Sequence, residues 1–492
     1  MESIIKQINR PKFTKITHGY PISLPITTEV DSQDVLAITA SVSLKSLQTT
    51  ISTAKVSALA VFNVVHREDG ELNSFESGTD LSYDIINERI TVGDPVCVRL
   101  YAGEEKVKKS ESGLELTAVI YAEIYFCDKD AVDFLEDIQG AVVKQEKLNL
   151  LNVVSGLNDT VEVDGEKSFP YFIEKVLCHK SQARVISIAP TANSFDVEGE
   201  IYTEFLFLTK SGERINESAL TPFRVGVDCD KVSYDNLIFA LASISSANFK
   251  ISSEEEAQNS QIVGEYTLSF KGVIFEKTAV NCVIDGFSTT NEIELENNLL
   301  PFCVGVYEKT FKHKCFGEGD TTFENDAKIY ATLTENSEIT NYSYENGLLN
   351  ISGVVSAHVI TKTQSKGLSG ERVQLPFECS FEVGDAVQVL TCYPRGLAVR
   401  NLDGKCIIEC ELVFSALLTQ SESSLVATSV VIGEEKTAKS PAISVVFVNK
   451  GDDLWSVCKK AQASEKSVLA NNPDLAFPVP QDKAIVVYRK IQ

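Results

Sequence analysis

Apolar and polar residues alternate along most of this chain. Over residues 195–207 the odd positions are Phe, Val, Gly, Ile, Thr, Phe and Phe, while Asp196, Glu198, Glu200, Tyr202 and Glu204 hold even ones. Alternation sends successive side chains to opposite faces of a strand, so it predicts one face on a core and the other in water. A turn at Lys210, Ser211 and Gly212 follows, and Thr221-Pro222-Phe223 opens the next strand.

The same grammar returns. Ile351-Ser352-Gly353 repeats Val197-Glu198-Gly199, and Leu375-Pro376-Phe377 follows it at the spacing that separates Thr221-Pro222-Phe223 from the first motif. A weaker copy has Val56-Ser57-Ala58, with Leu81-Ser82-Tyr83 one residue late. Leu177 precedes Val197 by the same distance as Leu36 precedes Val56, which extends the repeat upstream. Three copies predict tandem units, each sandwich-like and β-rich.

Further strands are expected at 37–42, 55–65, 114–126, 265–275 and 407–418, with extended lead-ins around Tyr20-Pro21 and at 147–154. Asn346-Gly347 is a tight-turn signal. The acidic run 252–256 reads as a hairpin tip. Val132, Leu135, Ile138 and Val142 fall close to helical spacing, which predicts a short helix over 131–142 joining two units.

The grammar changes after a polar stretch at 433–441 that reads as a linker. A strand at 444–448 leads to Gly451-Asp452-Asp453, a turn whose aspartate can cap a helix carrying Leu454, Val457, Cys458 and Ala461 on one face. Ser464 can cap a second helix, stopped at Asn471-Asn472-Pro473, before a strand at 485–488. The expected architecture is therefore mostly β: repeats at 1–138, 139–298 and 299–432, a linker at 433–441, and a small α+β (βααβ) module at 442–492 in which Trp455 belongs to the core.

Composition narrows the function classes. The formal charge of −24 argues against a nucleic-acid surface. No run approaches the roughly 18 apolar residues of a membrane span, and the first residues lack the apolar core of a secretory signal, so a cytoplasmic chain without a transmembrane segment is expected. The 12 cysteines sit mostly in apolar runs, as buried thiols of a reducing compartment do.

No catalytic constellation stands out. The five histidines form no HExxH, and neither a phosphate-binding loop nor a GxSxG elbow is present. Gly317-Glu318-Gly319 reads as a turn. His313-Lys314-Cys315 and the pair Cys406 and Cys410 are the best metal candidates, but on a strand that pair is about 13 Å apart, too far to share a zinc. Cys178-His179 reads as packing, because neighbours on a strand face opposite ways. Acid pairs such as Glu104-Glu105 read as a solvated face. The expectation is a non-enzyme without cofactor or metal.

The final tenth of the chain resembles a LysM domain, on Lys450-Gly451-Asp452-Asp453-Leu454-Trp455 and Asn472-Pro473-Asp474-Leu475. With three acidic β repeats ahead of it, the whole layout is similar to the SPOCS-domain spore-coat proteins of clostridia, of the SipL-type coat morphogenesis family. That resemblance implies a mother-cell protein at the forespore surface or spore coat. Its LysM end would bind a coat-basement morphogenetic ATPase, alongside other coat proteins. The implied contact residues are Gly451, Asp452, Asp453, Asn472, Pro473, Asp474 and Leu475, with Lys459 and Lys460 as further surface candidates. LysM modules commonly bind N-acetylglucosamine polymers, so a peptidoglycan or chitin-type glycan binder of cell wall or cortex is the alternative. Against it, Asp453 replaces the usual Thr, and Pro480-Gln481-Asp482 replaces an expected Gly.

Overall fold

The structure is a computed structural model that describes residues 2–90, 95–254, 259–436 and 443–488. The first six strands are β1 (Glu2–Thr27), β2 (Val35–Thr50), β3 (Thr53–Glu68), β4 (Glu71–Ile86), β5 (Pro95–Ser110) and β6 (Gly113–Gln139). They pair as two antiparallel sheets, β1-β6-β5 and β2-β3-β4. The next six are β7 (Val142–Phe169), β8 (Ile173–Thr191), β9 (Ser194–Thr209), β10 (Arg214–Asp228), β11 (Leu237–Glu254) and β12 (Asn259–Phe287), paired as β7-β12-β11 and β8-β9-β10. Then β13 (Asn291–Thr322), β14 (Lys328–Glu345), β15 (Leu348–Thr363), β16 (Gly367–Glu382), β17 (Ala386–Leu402) and β18 (Lys405–Glu435) pair as β13-β18-β17 and β14-β15-β16. The chain is mostly β, in small antiparallel sheets, and one pairing order occurs three times.

The recurring sequence motif has a steric cause. Gly199 lies opposite Phe223, and Gly353 opposite Phe377. A Cβ on either glycine would lie 2.3 Å or 2.5 Å from the ring's Cζ, so the phenyl ring occupies the space that a side chain would take. In the weaker copy Ala58 faces Leu81, and the aromatic of its Leu81-Ser82-Tyr83 step pairs with Val56 instead, so the Gly–Phe contact is not repeated there. Pro222 and Phe223 lie within β10 rather than at its start. A proline is tolerated there because β10 is an edge strand.

The expected helix over 131–142 is strand β6 instead. Ile5 pairs with Leu135 and Ile4 with Asp137, leaving Glu136 as the extra residue of a bulge. The bulge changes the phase of the strand, so Val132, Phe134, Leu135 and Ile138 are all buried. One bulge thus imitates helical spacing. Gly140 and Ala141 alone separate β6 from β7. The expected boundary after residue 298 falls inside β13. Of the expected linker, Gly433, Glu434 and Glu435 still belong to β18, and 437–441 lie outside the described residues. Of the acidic run, Glu255 and Glu256 also lie outside them.

Each group of six strands encloses apolar clusters, but the groups are not beads on a string. One cluster joins Leu36, Val65 and Leu72 to Leu177, Cys178 and Leu206 and to Leu333, Ile360 and Leu368. Another joins Tyr125, Phe239, Phe275 and Leu417. Beyond the third strand of each outer sheet, β1/β6, β7/β12 and β13/β18 continue as two-stranded ribbons, which share a core of Phe134, Leu148, Val280, Phe302 and Val426. Close approach shows at Gly370 of β16, where a Cβ would lie 1.5 Å from the Leu36 carbonyl oxygen of β2. The "water" face of β9 is consequently covered: Glu200 and Tyr202 are buried.

The chain ends in β19 (Ile443–Val448), α1 (Leu454–Ala461), α2 (Glu465–Asn471) and β20 (Lys483–Tyr488), with β19 and β20 antiparallel. Asp453 caps α1, its Oδ1 accepting from Ser456 N at 2.8 Å, and Ser464 caps α2. No helix among the described residues is long and apolar enough to cross a membrane.

Candidate functional site

Two regions carry candidate chemistry. The terminal module has its own core of Val457, Cys458, Ala461, Val468, Val479, Ile485 and Val487, and Trp455 and Leu475 are buried in it. That core also takes in Phe287 of β12, whose ring centroid is 5.6 Å from that of Trp455. The Trp455 Nε1–H donates to Asp285 Oδ2 at 2.8 Å, and Lys459 Nζ donates to both oxygens of Asp285 at 2.7 and 2.9 Å. Burial pushes the Asp285 carboxyl up. The bonds from Lys459 and Trp455 outweigh it, and the group stays below the ordinary carboxylate value.

The residues nominated from sequence have divided roles. Asp452 Oδ2 accepts from Asn449 N at 2.8 Å and Lys460 Nζ at 2.6 Å, which closes the turn around Gly451. Gly451 needs its positive φ of 91° there. Asn472 braces the last strand, donating to the Val486 carbonyl at 2.8 Å and accepting from Val486 N at 3.2 Å. Lys459 is held by Asp285, and Leu475 is core. Gly451, Asp453, Lys460, Pro473 and Asp474 are left exposed. Sequence reading missed the most conspicuous surface of this module. On β19, Ile443, Val445 and Phe447 point outward, 58%, 61% and 77% exposed, and Tyr488 lies opposite Ile443.

The second region is a partly open cavity where the three strand groups meet. A chamber of about 480 Å³ is lined from all three groups, by Asn63 and Arg99, by His179, Lys180 and Arg184, and by Glu308, Ser337 and Tyr393 among others. Glu308 faces it, open to water yet crowded by protein, which pushes its carboxyl up to about 7. Polar bonds cross between the groups here. Arg99 donates to the carbonyls of Ser337 at 3.2 Å and Cys392 at 3.1 Å. Asn336 Nδ2 donates to the Ala102 carbonyl at 3.0 Å. Glu200 accepts from both Arg184 and Arg395.

Near the chamber is a cluster that sequence reading placed wrongly. Glu105 is not on a solvated face but 6% exposed. Glu104 takes a φ of 57° at a bulge in β5, between the pairs Gly103 with Val119 and Lys106 with Thr117, and Glu105 is carried inward. A second bulge, in β14 between Thr334 and Asn336, tucks in Glu335 at 1% exposure. With His358 of β15, ligand atoms of these three side chains lie within 4.8 Å of one another. Arg372 grips Glu335 with two hydrogen bonds of 2.6 and 2.9 Å. Burial raises the Glu335 carboxyl, but these bonds hold it below the ordinary value; burial and the Glu335 carboxylate drive Glu105 well above it. Bulges leave no trace in an alternating sequence, so only the register exposes this cluster.

None of the described cysteines is in a disulfide. Cys410 lies directly opposite Cys315 in the β13/β18 ladder, a pairing that the Cys406 and Cys410 spacing hid. Burial pushes the Cys178 thiol up to about 12, far from a reactive thiolate, and His179 packs edge-on against Phe249 at 4.6 Å. Comparison with protein-family models, with curated proteins and with solved structures finds no match to this chain.

Proposed function

We propose that this chain is a non-catalytic scaffold of spore-coat assembly. In this reading the three strand groups are tandem SPOCS-like repeats packed into one body. The terminal βααβ segment is a LysM-like module that docks a coat-basement morphogenetic ATPase at the forespore surface. The single observation that carries it is the outward stripe of Ile443, Val445 and Phe447 on the two-stranded sheet. An uncovered apolar strip on a small sheet favours contact with another protein, because burying it removes apolar area from water. A sugar groove instead needs converging polar groups. Of the residues nominated for one, Lys459, Asn472 and Leu475 are engaged within the molecule.

The test replaces Val445 and Phe447 by Ser in the full chain and measures capture of that ATPase, identified by mass spectrometry, from sporulating cells. Capture should fall while Trp455 emission stays native. Undiminished capture by the double variant sinks the docking surface. A saturable Trp455 response to chitin oligomers would replace the reading with the glycan alternative. Trp455 is the chain's single tryptophan, so the signal has one source.

A further inference from the structure

The Glu105, Glu335 and His358 cluster is not needed for docking, and it is costly to keep. Buried polar groups in folded proteins are nearly always hydrogen-bonded, and one left bare costs roughly 1–3 kcal/mol. Here His358 Nε2 lacks a hydrogen-bond partner on a side chain that is 7% exposed, and Glu105, 6% exposed, has only the Glu335 carboxyl to bond. An unpartnered imidazole nitrogen beside two carboxyls is the donor set of a cation.

The surrounding charges fit. Glu105 of β5, Glu204 of β9 and Glu335 of β14 bring three carboxyls to this region, against the cations Lys180 of β8 and Arg372 of β16. Arg372 does not compete for the metal. Its two bonds orient Glu335, and Ser356 steadies Arg372 and Gln374 at 3.4 and 3.0 Å, the supporting role that outer partners play around metal ligands.

We infer that Glu105, Glu335 and His358 form a site for a first-row divalent cation of the zinc class, bound where the strand groups meet. Two carboxylates and an imidazole suit such an ion better than calcium or magnesium, which prefer oxygen alone. Zinc bonds of about 2.0–2.2 Å put ligand atoms roughly 3.3 Å apart. Drawing them in from the present 4.8 Å limit would take rotation of the Glu105 and His358 side chains. Glu105 comes from the first strand group and the other two ligands from the third, so the ion would clamp segments far apart in the chain.

The experiment uses the full chain, stripped with chelator and kept reduced, titrated with zinc by calorimetry and with cobalt by absorption. One ion per chain is expected, with weak visible cobalt bands and no thiolate charge-transfer band. Glu105→Gln and His358→Gln should each weaken zinc binding at least about tenfold. Zinc should raise the urea midpoint of the parent chain and not of these variants. Absence of saturable binding, a thiolate band, or unchanged affinity in both variants overturns the site. The cobalt spectrum of the parent chain decides the ligand class even if a variant fails to fold.

Discussion

The terminal module and the buried junction break the usual inside-out rule in opposite directions. The module leaves Ile443, Val445 and Phe447 in water. The junction hides Glu105, Glu335, Glu200 and His358. Interior charges survive only when paired, and exposed apolar patches generally mark contacts. The difference teaches where each region's work lies: the junction's polar groups are spent inside the molecule, and the module's apolar strip is kept for something outside it.

The strongest way to break this contrast is to remove one side of the buried pair. Glu335→Ala leaves the half-buried Arg372 without its partner. A loss of about 2 kcal/mol, read as a lower urea midpoint, is expected, because water reaches part of the orphaned guanidinium. An unchanged midpoint would mean that the junction is not rigid. Asp285→Ala cuts the bonds from Trp455 and Lys459. It should loosen the module by about 1.5 kcal/mol, seen as a red shift of Trp455 emission with the body still folded.

Acid probes the same joint without mutation. The Asp285 carboxyl is held below its ordinary 3.8, so its stabilising contribution is in full force above that value and is lost as pH falls through the lower folded value. Trp455 emission should shift in that acid window in the parent chain and not in Asp285→Ala. Asp453→Ala, which removes the cap of α1, should cost about 1 kcal/mol within the module. Smallest of all, Phe447→Ser should change stability by no more than about 0.5 kcal/mol, because the side chain is mostly in water. A larger loss would show that the strip is structural.

Local elements were legible where local physics decides them. Alternation located β9, the Asn346-Gly347 turn joins β14 to β15 with φ of 54° and 81°, and Asp453 and Ser464 cap the two helices as read. The candidate cluster was not legible. Glu105 looks like any solvated glutamate until the bulge beside Glu104 is known, and the 131–142 segment looks helical until Glu136 is recognised as the extra residue in a strand. Both failures share a cause: a bulge shifts phase by one residue, and its position depends on the partner strand.

By itself the sequence determined the β class, the spacing of the Gly and Phe contacts, and the caps and turns of the final module, because those follow from neighbours in the chain. The tertiary structure alone decided which polar face meets water. Glu200 and Tyr202 alternate as a solvent face should, yet packing against Arg184 and Arg395 covers them, since the pattern along one strand carries no record of a second layer arriving from residues nearly two hundred positions away.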